Sequence, residues 1–152
     1  MNKTVVKSFD ELSGAEVYEI LKARCDVFTV EQKICYPDMD DIDYDAIHVF
    51  IPDEKGVVQA YLRLFREEEG SPIVHVGRVL TREHLNGLGK IIMQEGIRAA
   101  KERMGAQELT LHSQEYCIGF YQKLGFKAVS DTFIEAEIPH VIMTRTILNT
   151  KI

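Results

Sequence analysis

Two glycines and a lysine between a strand-like and a helix-like segment could bind an anion. They lie in the run Gly87-Leu88-Gly89-Lys90. Glycine has no Cβ, so a ligand can approach the backbone closely there. The first N–H groups of a helix have no intrahelical acceptor, and the helix dipole is positive at that end. The ligand that such an arrangement most often binds is a phosphate or a diphosphate.

Two widespread phosphate-binding loops do not fit these residues. A P-loop requires glycine at the position of His84 and Ser or Thr at the position of Ile91. The dinucleotide-binding fingerprint requires Gly or Ala at the position of Ile92. A shorter glycine loop remains, and so does a plain strand-to-helix connection that binds nothing. The loop alone does not decide between them.

A strand and a long helix must position this loop. Residues 73–80 are rich in β-branched side chains and follow Pro72, which predicts a strand. Apolar residues from Leu88 to Ala99 recur at helical spacing, and Gly105 stands where a helix C-cap glycine is expected. The sequence therefore predicts a strand, a glycine turn and a helix N-terminus in succession.

The rest of the pattern predicts one α+β domain, residues 1–152. A first helix should begin at Asp10 or Ser13 and run to about Val30, with Cys25 on its buried side. A short helix is predicted at residues 116–124, and a loop should hold Ile138-Pro139-His140. Further strands are predicted at residues 4–9, 48–51, 57–65, 108–112, 126–129 and 141–148. The result is a mixed, mostly antiparallel sheet of about six to seven strands flanked by helices.

Composition and charge argue against several classes of function. The formal net charge is −6 and no Lys/Arg run occurs, so sequence-independent nucleic-acid binding is not expected. No apolar run is long enough to span a bilayer, and no signal peptide is recognised. The three cysteines are scattered without metal-ligand spacing, which predicts reduced thiols, a cytoplasmic location and no metal. A homodimer through exposed sheet edges stays open.

An acidic segment, residues 31–46, is long for a loop in a compact domain and is expected to form a lid or wall for a substrate. Its charge suggests a cationic amine. Arg24 falls on the predicted buried side of the first helix and therefore needs a carboxylate, a carbonyl or a ligand. Pairing with the acidic segment and contact with a substrate both remain open.

Several motifs resemble one known family. Tyr121, Gly125 and Phe126 form a Tyr-x-x-x-Gly-Phe pattern that, with the glycine loop, resembles the GNAT superfamily of N-acetyltransferases, which bind acetyl-coenzyme A. Segments similar to the ElaA-like branch are residues 24–32, Cys35-Tyr36-Pro37, Gly77-Arg78-Val79 and residues 137–140. These matches follow one order from about residue 20 to residue 145. At the first position of the glycine loop, where members usually carry Arg or Gln, this chain has His84.

The resemblance implies a set of site residues. The edge of Val79, Leu80 and Thr81 would pair with the pantetheine arm and polarise the acetyl carbonyl. The diphosphate would lie on Asn86, Gly87, Leu88, Gly89 and Lys90, and Gln114 would contact the coenzyme arm. Tyr121 would serve the leaving thiolate as a hydrogen-bond donor or acid. The base is best assigned to His112, ahead of Glu31, His48 and His140. Candidate acceptor contacts are Arg24, Glu31, Gln32 and His48.

The predicted function is N-acetyl transfer from acetyl-CoA to a primary amine of a small molecule or peptide. The amine would attack directly in a ternary complex, without a metal. One alternative is a non-catalytic acyl-CoA-binding or regulatory module with the same fold. Another is a nucleotide-binding protein that uses residues 87–90 on ATP, although Ser or Thr is missing after Lys90.

Overall fold

The computed structural model describes residues 3–84 and 86–147, and within them eight strands form one sheet. The strands are β1 (Val5–Ser8), β2 (Ile47–Pro52), β3 (Val58–Phe65), β4 (Ile73–Thr81), β5 (Glu108–Gln114), β6 (Lys127–Ala128), β7 (Phe133–Glu135) and β8 (Ile138–Thr146). The α-helices are α1 (Gly14–Arg24), α2 (Leu88–Met104) and α3 (Ile118–Lys123). The strand order is β1-β2-β3-β4-β5-β8-β6, and β7 pairs with β8.

The predicted mixed α+β sheet is confirmed, with one strand more than expected. The additional strand is β7, and the predicted loop at residues 138–140 is wrong because β8 already begins at Ile138. β7 and β8 form a hairpin whose two turn residues, Ala136 and Glu137, both have positive φ (50° and 65°). Such turns normally carry Gly, Asn or Asp, so the sequence holds no turn signal here. The predicted strand end at residue 148 lies outside the described residues.

Ser13, one of the two predicted caps, is the N-cap of the first helix. The Ser13 side chain accepts a hydrogen bond from the Glu16 N–H, and the Glu16 carboxylate accepts one from the Ser13 N–H. After α1 the chain continues as a π-helix, Cys25–Glu31, and not as an α-helix to Val30. Cys25 is exposed, so its predicted burial is wrong. The buried stripe is Ile20, Ala23, Arg24 and Val27, because Arg24 turns inward to carboxylate partners.

Helices cover both faces of the sheet. Successive strand residues point to opposite faces, so Leu62 of β3 packs beneath α2 while its neighbour Tyr61 packs beneath α1. The α2 face holds the larger core. Contact between α2 and β3 is close at Gly96, where an added Cβ would lie 2.6 Å from Cδ2 of Leu62. Helix α2 ends at Gly105, whose φ of 63° confirms the predicted C-cap.

Strands β4 and β5 pair over only part of their length. Their parallel pairing joins residues 73–75 to residues 108–110 and stops there. Beyond it, β4 stays paired with β3, and β5 stays paired with β8 along its seven residues. Where Arg63 pairs with Gly77 but Tyr61 pairs with Leu80, β4 carries one extra residue. This bulge includes Arg78, whose φ is 52°. Among the described residues, strands β4 and β5 no longer pair beyond His75, just before this bulge, and the sheet has a gap there.

Three arginines from α1, β3 and β4 hold the acidic segment on the sheet. Their ion pairs define the arginine–aspartate network. They are Arg24 Nε to Asp38 Oδ2 (2.8 Å), Arg24 Nη1 to Asp43 Oδ1 (2.7 Å), Arg63 Nη2 to Asp40 Oδ2 (2.6 Å), Arg63 Nη1 to Asp43 Oδ1 (3.0 Å), Arg78 Nε to Asp38 Oδ1 (2.8 Å) and Arg78 Nη2 to Asp40 Oδ2 (3.4 Å). Two alternatives were open for Arg24, pairing with the acidic segment or contact with a substrate. In the structure it pairs with the acidic segment.

Paired charges lower the pKa values of two carboxylates of the network, Asp40 and Asp43. Hydrogen bonds from Arg63 lower the pKa of Asp40 to about 2 against the opposing effect of burial. Burial would raise the pKa of Asp43, but its hydrogen bonds to Arg24 and Arg63 outweigh that effect and lower the pKa. Burial likewise disfavours the charge of Arg24, and its carboxylate partners nevertheless raise its pKa.

We predict that Arg24→Met lowers the free energy of unfolding by roughly 3 kcal/mol, the low end of the range for breaking a buried ion pair. The loss should stay at that end because Asp38 and Asp43 keep Arg78 and Arg63 as partners. Urea unfolding measures it. Arg98→Met is the control, since the exposed Arg98–Glu95 pair should contribute less than about 1 kcal/mol. Equal losses in the two variants would contradict a structural role for the network.

Candidate functional site

The gap between β4 and β5 opens into the main candidate site. A cavity of ≈ 290 Å³ lies there, walled on one side by residues 76–79 of β4. Leu111, His112 and Gln114 of β5 line the other side. The remaining walls come from Tyr121, from the π-helix and acidic segment between Phe28 and Asp38, and from the β7–β8 hairpin. A pocket of this kind, with a few convergent polar groups, is the default place for a small ligand.

The β4 edge that faces the gap has backbone groups without a strand partner. From Val76 to Thr81, β4 has no pairing with β5 in the described chain. The side chain of Val79 packs toward the α2 core, and that of Leu80 is buried beneath α1 with Tyr61. Leu80 could therefore meet a ligand only through its backbone. Buried backbone N–H and C=O groups require partners, so this edge is suited to an extended ligand that hydrogen-bonds like a strand.

The glycine loop forms the N-terminus of α2, as predicted. Gly87 is the N-cap, with φ of 83°, and the side chain of Asn86 accepts a hydrogen bond from the Leu88 N–H (3.1 Å). The Ile91 N–H donates to the Gly87 carbonyl (3.3 Å). The N–H groups of Gly89 and Lys90 precede that bond and have no intrahelical acceptor. The Asn86 side chain thus satisfies the first helical N–H, whereas the N–H groups of Gly89 and Lys90 are left without an acceptor within α2.

Gly89 also permits a close helix contact. A Cβ built there would lie 3.4 Å from Cζ of Phe120 on α3 and 4.0 Å from the methyl group of Thr81. The loop, the end of β4 and α3 therefore meet at this residue. From the sequence, close approach of a phosphate was the only explanation for a glycine at position 89. Its packing against α3 is a second explanation.

Tyr121 lies on α3 at the wall of the cavity and is almost fully buried. The rings of Phe120 and Phe126 contact it edge-on, at centroid distances of 5.1 and 5.9 Å. Burial raises the pKa of Tyr121, and the neighbouring Cys117 and Tyr116 raise it further. The phenol is therefore protonated at neutral pH and can donate a hydrogen bond into the cavity.

Polar groups from β5, the acidic segment and β7 meet on the opposite side of the cavity. The Gln114 amide nitrogen donates to the Gln32 amide oxygen (3.2 Å). Nδ1 of His112 is 2.8 Å from a carboxylate oxygen of Glu135. Five of the predicted site residues thus line one cavity: Gln32, Val79, His112, Gln114 and Tyr121.

Other predicted site residues lie elsewhere. Arg24 and His48 border a second cavity, between α1 and the acidic segment. Both ring nitrogens of His48 are engaged, by the Tyr61 hydroxyl (2.7 Å) and by the Asp43 carbonyl (2.9 Å), and burial lowers its pKa. Glu31 contacts the imidazole of His84 (2.6 Å) near the surface. The structure does not bring these three residues to the gap between β4 and β5.

Sequence reasoning missed three charged residues that line the cavity. Asp38 and Arg78 do so as members of the arginine–aspartate network, and Glu135 does so from β7. Asp38 belonged to the acidic segment, and Arg78 to a motif already singled out. Glu135 carried no signal, because its partner His112 is distant in the sequence. In the described chain, no group of three or more His, Cys, Asp or Glu side chains could hold a metal ion. None of the described helices is long and apolar enough to cross a membrane.

Comparisons with known proteins agree with the geometry. A model of the acetyltransferase (GNAT) domain matches residues 27–147. A UPF0039 protein of Schizosaccharomyces pombe is 37% identical over 142 residues, which cover 91% of this chain and 93% of the relative. ElaA of Escherichia coli is 32% identical over 142 residues, with 91% and 92% covered.

Solved structures show the same relationship. An acyl-CoA N-acyltransferase from Pseudomonas aeruginosa superposes with a TM-score of 0.89 at 31% identity, over 96% of this chain and 100% of that one. The crystal structure of Escherichia coli ElaA superposes with a TM-score of 0.87 at 29% identity, over 95% and 99%. The resemblance seen in the motifs is confirmed, and the chain belongs to the GNAT acetyltransferase family, with ElaA among its relatives.

Proposed function

We propose that this chain is an acetyl-CoA-dependent N-acetyltransferase whose acceptor is a primary amine. The amine would attack the thioester of acetyl-CoA in the gap between β4 and β5. Family membership supports an acyltransferase. The observation that carries the finer proposal is the free edge of β4 from Val76 to Thr81. It leads from the cavity that holds Tyr121 to the α2 N-terminus.

The coenzyme would use backbone groups along this path. Its diphosphate would accept hydrogen bonds from the N–H groups of Gly89 and Lys90, with the positive end of the α2 dipole beside it. Its pantetheine amides would pair with the free β4 edge as an added strand. At the bulge, a backbone N–H near Val79 would polarise the thioester carbonyl as negative charge develops on its oxygen. Gln114 and Gln32 would border the arm.

Tyr121 would stabilise the leaving thiolate chiefly by a hydrogen bond. Its raised pKa makes complete proton transfer to a thiolate unfavourable, while the intact O–H remains a donor throughout the neutral range. A hydrogen bond to an ionised sulfur is charge-assisted and therefore stronger than a neutral one. The role differs from that of a simple general acid, which the unperturbed phenol would suggest.

The acceptor amine would enter from the face of the sheet that α1 and the acidic segment cover. His112 lies on that face and is the base of this proposal. The acidic segment gives little reason to favour a cationic acceptor, because Asp38, Asp40 and Asp43 are each paired with arginine. The acceptor is therefore proposed only as a primary amine.

Calorimetric titration with acetyl-CoA, followed by a free-thiol assay over a broad panel of amines, tests this function. We expect coenzyme binding and amine-dependent thiol release. Absence of binding at millimolar coenzyme would refute the proposal. Tight binding without thiol release from any amine or peptide would instead favour the non-catalytic coenzyme-binding module.

For the chemical step, Tyr121→Phe should lower kcat by about 10² to 10³, the range for loss of one hydrogen-bond donor to developing negative charge. Acetyl-CoA affinity should change little, because the ring and its contacts with Phe120 and Phe126 are retained. Steady-state kinetics and calorimetry give the two values. Tyr18→Phe, at an exposed position on α1, is the control. Unchanged turnover in Tyr121→Phe would leave Tyr121 a packing role only.

For the diphosphate site, Gly89→Val should weaken acetyl-CoA binding by about tenfold to a hundredfold, as expected for losing a hydrogen bond to a charged group. The same substitution crowds Phe120, so Phe120→Leu and the double variant are needed. Calorimetry should find the weakening in the double variant as well. If the double variant binds acetyl-CoA as tightly as the wild-type protein, Gly89 serves only packing against α3 and the diphosphate binds at another place.

A further inference from the structure

The β7–β8 hairpin brings Glu135 to the side of the cavity opposite Tyr121. Oε1 of Glu135 lies 2.8 Å from Nδ1 of His112, and both side chains are about half exposed. The two turn residues that follow Glu135, Ala136 and Glu137, have positive φ without being glycine. Backbone in this region is strained for such residues, and strain of this kind concentrates at functional sites. The hairpin that carries the strain is the one that presents Glu135 to His112.

This contact determines which nitrogen of His112 carries the proton. An ionised carboxylate can only accept hydrogen bonds, so Nδ1 must be the donor. In the neutral ring, Nε2 then holds a lone pair and is the basic nitrogen. Phe133 contacts the ring edge-on at a centroid distance of 5.3 Å and limits its rotation. The pair therefore has the arrangement of a base and its orienting carboxylate.

Other titratable groups surround the pair. Nε2 of His140 on β8 is 3.7 Å from Oε2 of Glu135, beyond hydrogen-bond range, and its Nδ1 donates to the Ile138 carbonyl (2.7 Å). His75 on β4 is also close enough to His112 to be affected by it. Burial lowers the pKa of His75, the charge of Glu67 opposes this effect, and His112 lowers the pKa further. Asp38 and Arg78 line the same cavity but pair with each other. Of these histidines, His112 is therefore the one that forms a hydrogen bond with Glu135.

We propose that Glu135 is a positioning residue for the transfer reaction, which holds His112 in the Nδ1–H form with Nε2 as the base. This inference rests on the proposed function. As the amine nitrogen bonds to the thioester carbon, its proton passes to Nε2 of His112. The C–S bond then breaks, and the thiolate leaves with a hydrogen bond from Tyr121. The imidazolium returns its proton through solvent, so the amine N–H becomes the thiol S–H and no other reactant is needed.

Glu135→Gln should lower kcat/KM about tenfold, because a neutral amide oxygen accepts a weaker hydrogen bond from Nδ1–H of His112 than a carboxylate does. Glu137→Gln is the matched control. It removes the same charge from the same hairpin at a residue that does not line the cavity. Acetyl-CoA affinity should be equal in all three proteins.

An activity-independent measurement separates this inference from the proposed function. Imidazole ¹⁵N NMR of the wild-type protein at high pH should assign neutral His112 to the Nδ1–H form, and Glu135→Gln should reduce that form. An Nε2–H form in the wild-type protein would overturn the inference, whether or not any amine is acetylated. A kcat/KM unchanged in Glu135→Gln would also overturn it. The inference would likewise be overturned if the pH profile of kcat/KM lost its acid limb in His140→Gln but kept it in His112→Gln.

Discussion

A strand edge inside a sheet that has no neighbouring strand is the constraint on which the rest of this molecule depends. Backbone N–H and C=O groups that are neither paired nor solvated are costly, so such an edge persists only where water or a ligand can reach it. Here β5 is held in line by its pairing with β8 along seven residues, whereas the extra residue at Arg78 bends β4 away from it. The packing of Gly96 against Leu62 fixes β3 beneath α2 and thereby fixes β4 beside it. The gap is therefore a built feature of the sheet.

The arginine–aspartate network solves a second problem, which is how to keep an irregular segment in place beside that gap. Three carboxylates and three guanidinium groups are brought close together, two of the arginines almost fully buried. Removing such charges from water is expensive, and only near-complete pairing offsets the cost. Arg78 contributes to both features, since it belongs to the bulge and also donates to Asp38. The wall of the cavity and the curvature of β4 are consequently linked by one side chain.

Features encoded locally were predictable from the sequence, and features that join distant segments were not. Helix α2 and its Gly105 cap follow from periodicity and one glycine, and the loop at Gly87 follows from their junction. The motif around Tyr121, taken with the glycine loop and the ordered ElaA-like segments, predicted the family, which is confirmed. By contrast, the buried face of α1 depends on where Asp38 and Asp43 lie, so hydrophobic periodicity misplaced Cys25. Strand β7 escaped prediction because its turn uses residues that rarely adopt positive φ.

The alternation of side chains along β5 explains how the two groups proposed here to handle protons, Tyr121 and His112, can line one cavity. Leu111 packs into the core beneath α2 and α3, on the side where Tyr121 lies, whereas His112 points to the opposite face with Glu135. In a continuous sheet, groups on opposite faces are separated by the strands themselves. Because β4 and β5 part beyond His75, the two faces communicate through the gap, and both Tyr121 and His112 line the same cavity. A thioester held in the gap would present its sulfur to one face and its carbonyl carbon to an amine arriving from the other. The divergence of the two strands would thus separate a donor side from an acceptor side, as the proposed direct transfer requires.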